Sequence, residues 1–200
     1  LDCSNCPKLT VIPHIKGLKE LDCSYCLKLT VIPHIKGLEF LICYNCPKLT
    51  VIPHIKGLEK LWCSNCPKLT VIPHIKGLRK LWCSNCHITI IPNIKGLKKL
   101  SCANCPKLTN IPHIKGLEEL YCSDCINLLV IPTEVKNLYC PNCPKLFKSK
   151  RRPKSIKNYI PYYRIKYYTK QRYFNEWYYS PHNAGGKRIK NNMLHLFPIH

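Results

Sequence analysis

Cysteine is the residue type of this chain that most clearly suggests a chemical role. All sixteen cysteines fall in eight C-x-x-C pairs, and sixteen residues separate the first pair from the second. This spacing satisfies the zinc-ribbon pattern, in which four thiolates converge on one Zn²⁺ ion. It also suits a disulfide scaffold, or thiols that are buried as small apolar side chains. The pair that most resembles a metal knuckle is CPNCPK at 140–145.

Histidine is the second candidate for chemistry, because it recurs at one position of a repeated motif, at His14, His34, His54, His74 and His113. A column of histidines could bind metal or respond to pH. The register of the motif directs these side chains outward, so the favoured interpretation is a copied, solvent-facing residue without a specific role. A lysine column two residues further on (Lys16, Lys36, Lys56 and their equivalents) would gain from a polyanionic partner, although solvation alone explains it.

No grouping of residues resembles a catalytic centre, since the chain has no nucleophile–base–acid pattern, no phosphate loop and no convergent carboxylate pair. We therefore expect neither enzymatic activity nor a cofactor. The excess of 32 Lys and Arg over 10 Asp and Glu favours an acidic partner, either nucleic acid or an anionic surface. Because the chain lacks a run of 18 apolar residues, we expect no membrane span and no membrane partner.

The candidate residues sit within an internal repeat, which determines where they lie. Aligned on a Leu-x-Cys triplet, the units have a period of 20, with one unit of 19 and one of 18 residues. The units begin at Leu1, Leu21, Leu41, Leu61, Leu81, Leu100 and Leu120, with a truncated eighth at Leu138.

Apolar residues within a unit follow two different steps. The step from Leu1 to Cys3 is two residues, as in a strand, and every later step, through Cys6, Leu9 and onward, is three. A step of three suits polyproline II or 3₁₀ backbone, and the prolines and glycine of each unit agree with it. Each unit is therefore a short strand followed by an extended return of about fifteen residues, which buries its apolar side chains only when stacked on its neighbours.

Both cysteines of a pair share the inward register, which favours buried core thiols and a reducing, intracellular compartment, the cytoplasm or the nucleus.

The pattern L-x-x-L-x-C-S-x-C-x-x-L-T-x-I-P-x-I is similar to leucine-rich repeats, in particular the short bacterial-effector type. The near-identical copies also resemble repeat proteins of giant DNA viruses and amoebae, which would place the protein in a host cell. The resemblance covers residues 1–147 and implies an α/β-type solenoid or horseshoe, with a concave parallel sheet of about eight short strands and a polyproline II or 3₁₀ convex side. Cys6 and its equivalents stand where that family usually has Asn. Bacterial effectors often carry a cysteine-dependent ubiquitin ligase, but no cysteine follows Cys143, so that activity is not carried over.

The residues that vary between copies flank the strand and would face solvent on the sheet. Exposed aromatic side chains bordered by cations are typical of interface anchors, which predicts a monomeric, non-catalytic scaffold that binds an acidic protein. Alternatively, these aromatic residues arose by drift on a face under no selection. They could also pack against an N-terminal extension absent from this sequence, or against the C-terminal tail. The predicted partner-binding residues are Phe40, Ile42, Tyr44, Lys60, Trp62, Arg79, Lys80, Trp82, Lys99 and Tyr121.

Residues 148–200 form a basic tail in which thirteen Lys and Arg face a single acid, Glu176, and eight Tyr occur. We expect a mostly helical or irregular segment that caps the last coil. Aromatic residues among cations also suit nucleic-acid binding, which is the alternative function beside a structural zinc module. The residues that would contact nucleic acid are Lys148, Lys150, Arg151, Arg152, Lys154, Arg164, Lys166 and Arg172.

Overall fold

The structure, a computed structural model, describes residues 1–132 and 134–148. Seven three-residue strands form one parallel sheet in sequence order, and one short helix, α1 (Pro144–Lys148), follows them. The strands are β1 (Glu20–Asp22), β2 (Phe40–Ile42), β3 (Lys60–Trp62), β4 (Lys80–Trp82), β5 (Lys99–Ser101), β6 (Glu119–Tyr121) and β7 (Asn137–Tyr139).

The first coil joins the sheet through a single parallel bridge between Asp2 and Asp22 instead of a full strand. The expected eight strands are therefore seven strands and one bridge. The repeat solenoid itself is confirmed, because each strand pairs in parallel with the equivalent residues of the next coil. Within the described part of the chain, no helix has the length and apolar character that a membrane crossing requires.

Inward residues form continuous columns, as the step of three predicts. Cys23, Leu29, Ile35 and Leu41 are all 0% exposed. A side chain at each of these positions is enclosed by the equivalent side chains of the two neighbouring coils, which one coil cannot do alone. In the first coil Leu9 is only partly buried, because a coil packs against one of its sides alone.

The unit of 19 residues tests the register, because it lacks one residue after Cys86. Ile88, Ile91, Ile94 and Leu97 remain buried. The deletion thus removes an outward position and preserves the inward column, as the sequence predicts.

Two tight turns recur in most coils and accompany the three-residue periodicity of the return path. The Leu29 N–H donates to the Cys26 carbonyl at 3.1 Å, and the Leu38 N–H donates to the Ile35 carbonyl at 3.3 Å. Both are bonds between residues three apart, each a single turn of 3₁₀ type. The backbone between the two turns is extended, and its outer side carries a second series of parallel bridges, among them Val31 with Val51. We call the outer side of these segments the return face.

An asparagine follows the strand of most coils and adopts the left-handed conformation, with φ of 59° at Asn65 and 56° at Asn85. Asparagine tolerates this region better than most side chains because its amide bonds locally. Here the amides also join coil to coil: Asn85 Nδ2 donates to Asn65 Oδ1 at 2.6 Å, and Asn104 Nδ2 donates to Asn85 Oδ1 at 2.7 Å. A ladder of amides therefore fixes both the turn and the stacking.

Replacement of a ladder asparagine should separate these two contributions. Asn65→Gly keeps the left-handed turn but loses the amide bonds, and should lower the free energy of unfolding by about 1 kcal/mol. Asn65→Ala also places a Cβ at positive φ, and should lower it by about 2–3 kcal/mol. Urea denaturation of the two variants beside the unmodified protein measures the difference. Equal losses for Gly and Ala would contradict a conformational role for Asn65.

Candidate functional site

The open face of the sheet carries two columns of side chains, one from the first and one from the third residue of each strand. The central residue of every strand is the buried leucine, so its two neighbours point to the opposite side. The register aligns Phe40 with Lys60 and Lys80 in the first column, and Trp62 with Trp82 in the second. The predicted residues of adjacent coils thus lie side by side.

Three aromatic rings pack edge to face along adjacent strands, and we call Phe40, Trp62 and Trp82 the aromatic ridge. The Phe40 and Trp62 centroids are 4.8 Å apart with planes at 82°, and the Trp62 and Trp82 centroids are 5.0 Å apart at 81°. Edge-to-face pairs at such distances are attractive beyond the area that they bury. The rings are half-buried and not fully exposed, because each covers part of its neighbour.

Two details of the ridge differ from the sequence expectation. Ile42, expected to face solvent, is only 7% exposed, because it lies in register between Asp22 and the much larger Trp62. The Trp62 Nε1 atom is buried and has no hydrogen-bond partner among the described residues. A buried, unpaired N–H costs about 1–3 kcal/mol, so packing alone holds this ring in place.

The predicted cations divide into three environments. The Lys60 ammonium lies 5.1 Å from the Phe40 ring centroid, in a cation–π arrangement. Lys99 Nζ is 2.7 Å from Glu119 Oε1, and this hydrogen bond raises the pKa of Lys99 and neutralises its charge locally. Lys80 has no ion pair within the described ranges.

Arg79 lies apart from the lysine column. It lines a shallow depression beside the sheet, with Glu59, Lys98 and the glycines of three successive coils. The column before the strands also holds ion pairs, since Lys98 Nζ is 3.0 Å from Glu118 Oε1. Arg79 therefore belongs to a mixed-charge border and not to the ridge itself.

The remaining predicted aromatics form two further pairs, each with a residue that sequence reasoning left out. Tyr121 is 42% exposed and its ring centroid lies 6.5 Å from that of Tyr139. Tyr44 lies 5.5 Å from Tyr25, and its hydroxyl accepts a hydrogen bond from Asn65. Tyr139 is the repeat equivalent of Tyr121, so column alignment identifies it, whereas Tyr25 aligns with Asn45 and not with Tyr44.

The small Ser101 interrupts the aromatic surface between Trp82 and Tyr121. Its hydroxyl oxygen lies 3.1 Å from that of Ser84. The sheet face therefore presents a ridge, a gap one strand wide and a tyrosine pair, in that order.

The cysteines form a second regular array, this time inside the coils. The second cysteine of a pair directs its S–H to the backbone carbonyl of the first cysteine in the preceding coil: Cys46 to Cys23 and Cys66 to Cys43, both at 3.2 Å. The same contact recurs through Cys143, whose Sγ lies 3.0 Å from the Cys122 carbonyl. The thiol thus supplies a weak donor between coils while filling a small apolar space.

The pKa values of the thiols in the coils do not all shift in one direction, since a hydrogen bond with Cys23 lowers the pKa of Cys46. Burial raises the pKa of Cys66 and of Cys105 to about 12, and raises the pKa of Cys43 and Cys63 well above its ordinary value. A thiolate is the form that attacks electrophiles and binds metal, so these groups are poor nucleophiles and poor ligands in the folded chain.

Fourteen of the sixteen cysteines are buried, while Cys3 is intermediate and Cys6 is exposed. Within residues 1–132 and 134–148, no three His, Cys, Asp or Glu side chains are arranged to hold a metal ion. Cys140 and Cys143 of the CPNCPK segment belong to the core. The histidine column is exposed throughout, as its register predicts.

The comparisons with known proteins agree with the geometry. The family described as Leucine Rich repeats (2 copies) matches residues 76–116. Together with the parallel solenoid of short repeats, this match supports a leucine-rich-repeat protein. No curated protein and no solved structure matches it, so the resemblance to giant-virus proteins has no support.

Leucine-rich repeats are typically non-catalytic and are typical of protein-interaction scaffolds. The residues predicted to contact nucleic acid, apart from the backbone of Lys148 in α1, lie outside the described residues. The division of the chain at residue 148, the capping role of the tail and its nucleic-acid contacts therefore stay predictions.

The thiol array predicts selective labelling. In the native protein at pH 8, iodoacetamide should modify Cys6 rapidly and Cys3 slowly, because burial raises the pKa of Cys3 to about 11. The other fourteen should react only after denaturation, and peptide mass spectrometry would measure the extent at each site. Bound zinc would also protect cysteines, so elemental analysis of the same sample should find no stoichiometric zinc. Native labelling of Cys66 at the rate of Cys6 would contradict the buried ladder.

Proposed function

We propose that this leucine-rich-repeat protein is a non-catalytic scaffold that binds another protein on the open face of its sheet, with the aromatic ridge as anchor. The observation that carries the proposal is the contact of Phe40, Trp62 and Trp82 across three adjacent strands. Tryptophan is enriched among the residues that dominate binding energy at protein interfaces. A partner that covers the aromatic ridge removes its exposed apolar surface from water, which favours binding.

The rings are also suited to the task because their positions are fixed before binding. The strands hold the backbone of each ring in register with the next, and edge-to-face contacts restrict the rotamers. A preorganised anchor loses little side-chain entropy on association. For the same buried area, rigid aromatic side chains on a sheet therefore give a higher affinity than flexible side chains on a loop.

The charges near the ridge favour an acidic group on the partner, but only locally. Lys80 stands in register between Lys60 and Lys99, and Glu119 already neutralises Lys99. An acidic side chain placed between Lys60 and Lys80 would meet two cations at the edge of the ridge. Such rim charges steer association and fix orientation more than they add affinity.

Substitution of the two tryptophans tests the anchor. The Trp62→Ala, Trp82→Ala double variant should lose the proteins that the full chain retains from extracts of its native host, with affinity for an isolated partner falling on the order of a hundredfold or more. A matched control removes the exposed apolar Val71 and Ile90 (Val71→Ala, Ile90→Ala) from the return face. This control should leave retention from a membrane-free extract unchanged.

A second variant guards against misfolding of the tryptophan variant. Lys80→Glu alters only a surface charge and should slow association with the same partner about tenfold at low salt, with a smaller effect at high salt. Thermal unfolding of each variant verifies the fold. If the folded double variant retains the same partners as the unmodified protein, the ridge is not the anchor.

A further inference from the structure

Cations dominate the return faces of the first six coils. The segments 7–18, 27–38, 47–58, 67–78, 87–97 and 106–117 contain eleven Lys, six His and no Asp or Glu. Elsewhere in residues 1–122, seven acids face six Lys and Arg, so the sheet side is nearly balanced. The positive charge of the repeats is therefore concentrated on the return side.

These cations are arranged in two rows with an apolar stripe between them. One row, which includes Lys28, lies on the turn that starts the return segment in five of the six coils, with 87–97 the exception, and the other, which includes Lys36, lies on the turn that ends it. Between the rows an exposed β-branched residue projects from each of the first five coils, and these five residues we call the valine stripe; the sixth coil has Asn110 at this position. Their exposed fractions are 70% at Val11, 52% at Val31, 54% at Val51, 62% at Val71 and 66% at Ile90.

Parallel bridges join four members of the stripe in two pairs. Val31 pairs with Val51, and Val71 pairs with Ile90. Bridged backbones lie about 4.8 Å apart, so the stripe extends for roughly 20 Å over five coils. Its side chains are nearly the same at every coil, in contrast with the sheet face, which changes from coil to coil.

Charge excludes two occupants of this surface that belong to the protein itself. A second copy placed face to face would bring lysine rows against lysine rows. The C-terminal tail from residue 148 carries thirteen Lys and Arg against Glu176 and would be repelled in the same way. A partner suited to this face is therefore anionic.

Uniformity and the valine stripe decide which anion suits the face. A face that is nearly the same over the first four coils offers no distinct feature to a shaped protein, but it suits an extended surface of repeating charge. A nucleic-acid backbone would match the lysines but would desolvate the valines against phosphate. A lipid surface satisfies both, because headgroups pair with the lysines while short apolar side chains enter the interface.

We propose that the return face is a peripheral docking surface for an anionic phospholipid membrane, with the valine stripe at the interface and the two lysine rows against the headgroups. This contact differs from a membrane span and departs from the expectation of no membrane partner. It leaves the aromatic ridge, on the other side of each coil, open to a protein. The proposal does not depend on the function of the ridge.

The experiment uses the full chain and sedimentation with vesicles of phosphatidylcholine, with and without about 30% phosphatidylserine. The unmodified protein should sediment with the anionic vesicles only. Each lysine near such a surface contributes about fivefold to the binding constant, so Lys36→Gln, Lys56→Gln, Lys76→Gln together should weaken binding on the order of tenfold to a hundredfold. Val31→Thr, Val51→Thr, Val71→Thr keeps charge and β-branching and should weaken binding about fivefold.

A matched control removes three charges from the tail, as Lys150→Gln, Arg151→Gln, Arg152→Gln. It should weaken binding less than the return-face lysine variant does. The proposal is overturned if the tail variant loses as much, since the tail would then be the binding segment. It is equally overturned if the valine variant binds vesicles normally while the lysine variant loses vesicles and duplex DNA alike, which would indicate a general polyanion site.

Discussion

Stacking of equivalent coils is the constraint on which the rest of this structure depends. A coil encloses its own apolar side chains on two sides at most, so residues such as Leu41 and Ile55 are buried only because the coils before and after provide the remaining walls. The backbone also depends on stacking, because a strand of three residues is not stable apart from its sheet. The amide ladder through Asn65 and Asn85 and the thiol ladder through Cys46 and Cys66 add polar contacts of the same period.

This constraint explains why one half of the repeat is nearly invariant along the chain and the other half varies. The return path must fit its copies on both sides, so a change that suits one neighbour disturbs the other. The residues beside the central leucine of each strand point away from the core and meet only their lateral neighbours. Variation is therefore tolerated at Trp62, Ser101 and Tyr121, where a distinct surface can arise while the inward columns stay unchanged.

Much of the fold could be predicted from the sequence, because the step between apolar residues fixes which side chains point inward. Ile88 and Ile91 of the shortened unit were placed correctly by that rule alone. The rule does not describe lateral contacts. It gave no indication that Ile42 would be shielded, that Lys99 would pair with Glu119, or that the second cysteine would direct its S–H to a carbonyl of the preceding coil. These outcomes depend on side-chain size and reach across coils, which a one-dimensional period does not contain.

The exposed valines also show what the period of apolar residues does not reveal. Periodicity marks Val31 and Val51 only as outward, and an outward β-branched residue in a single coil has no consequence. Stacking converts the repetition into a stripe, and the turns at its two ends place a lysine row on each side. Because translation by one coil aligns each residue with its equivalents, repeated residues form a continuous surface that none of them forms alone. The varied sheet face is suited to select one shaped partner, whereas the uniform return face is suited to a partner that is itself uniform.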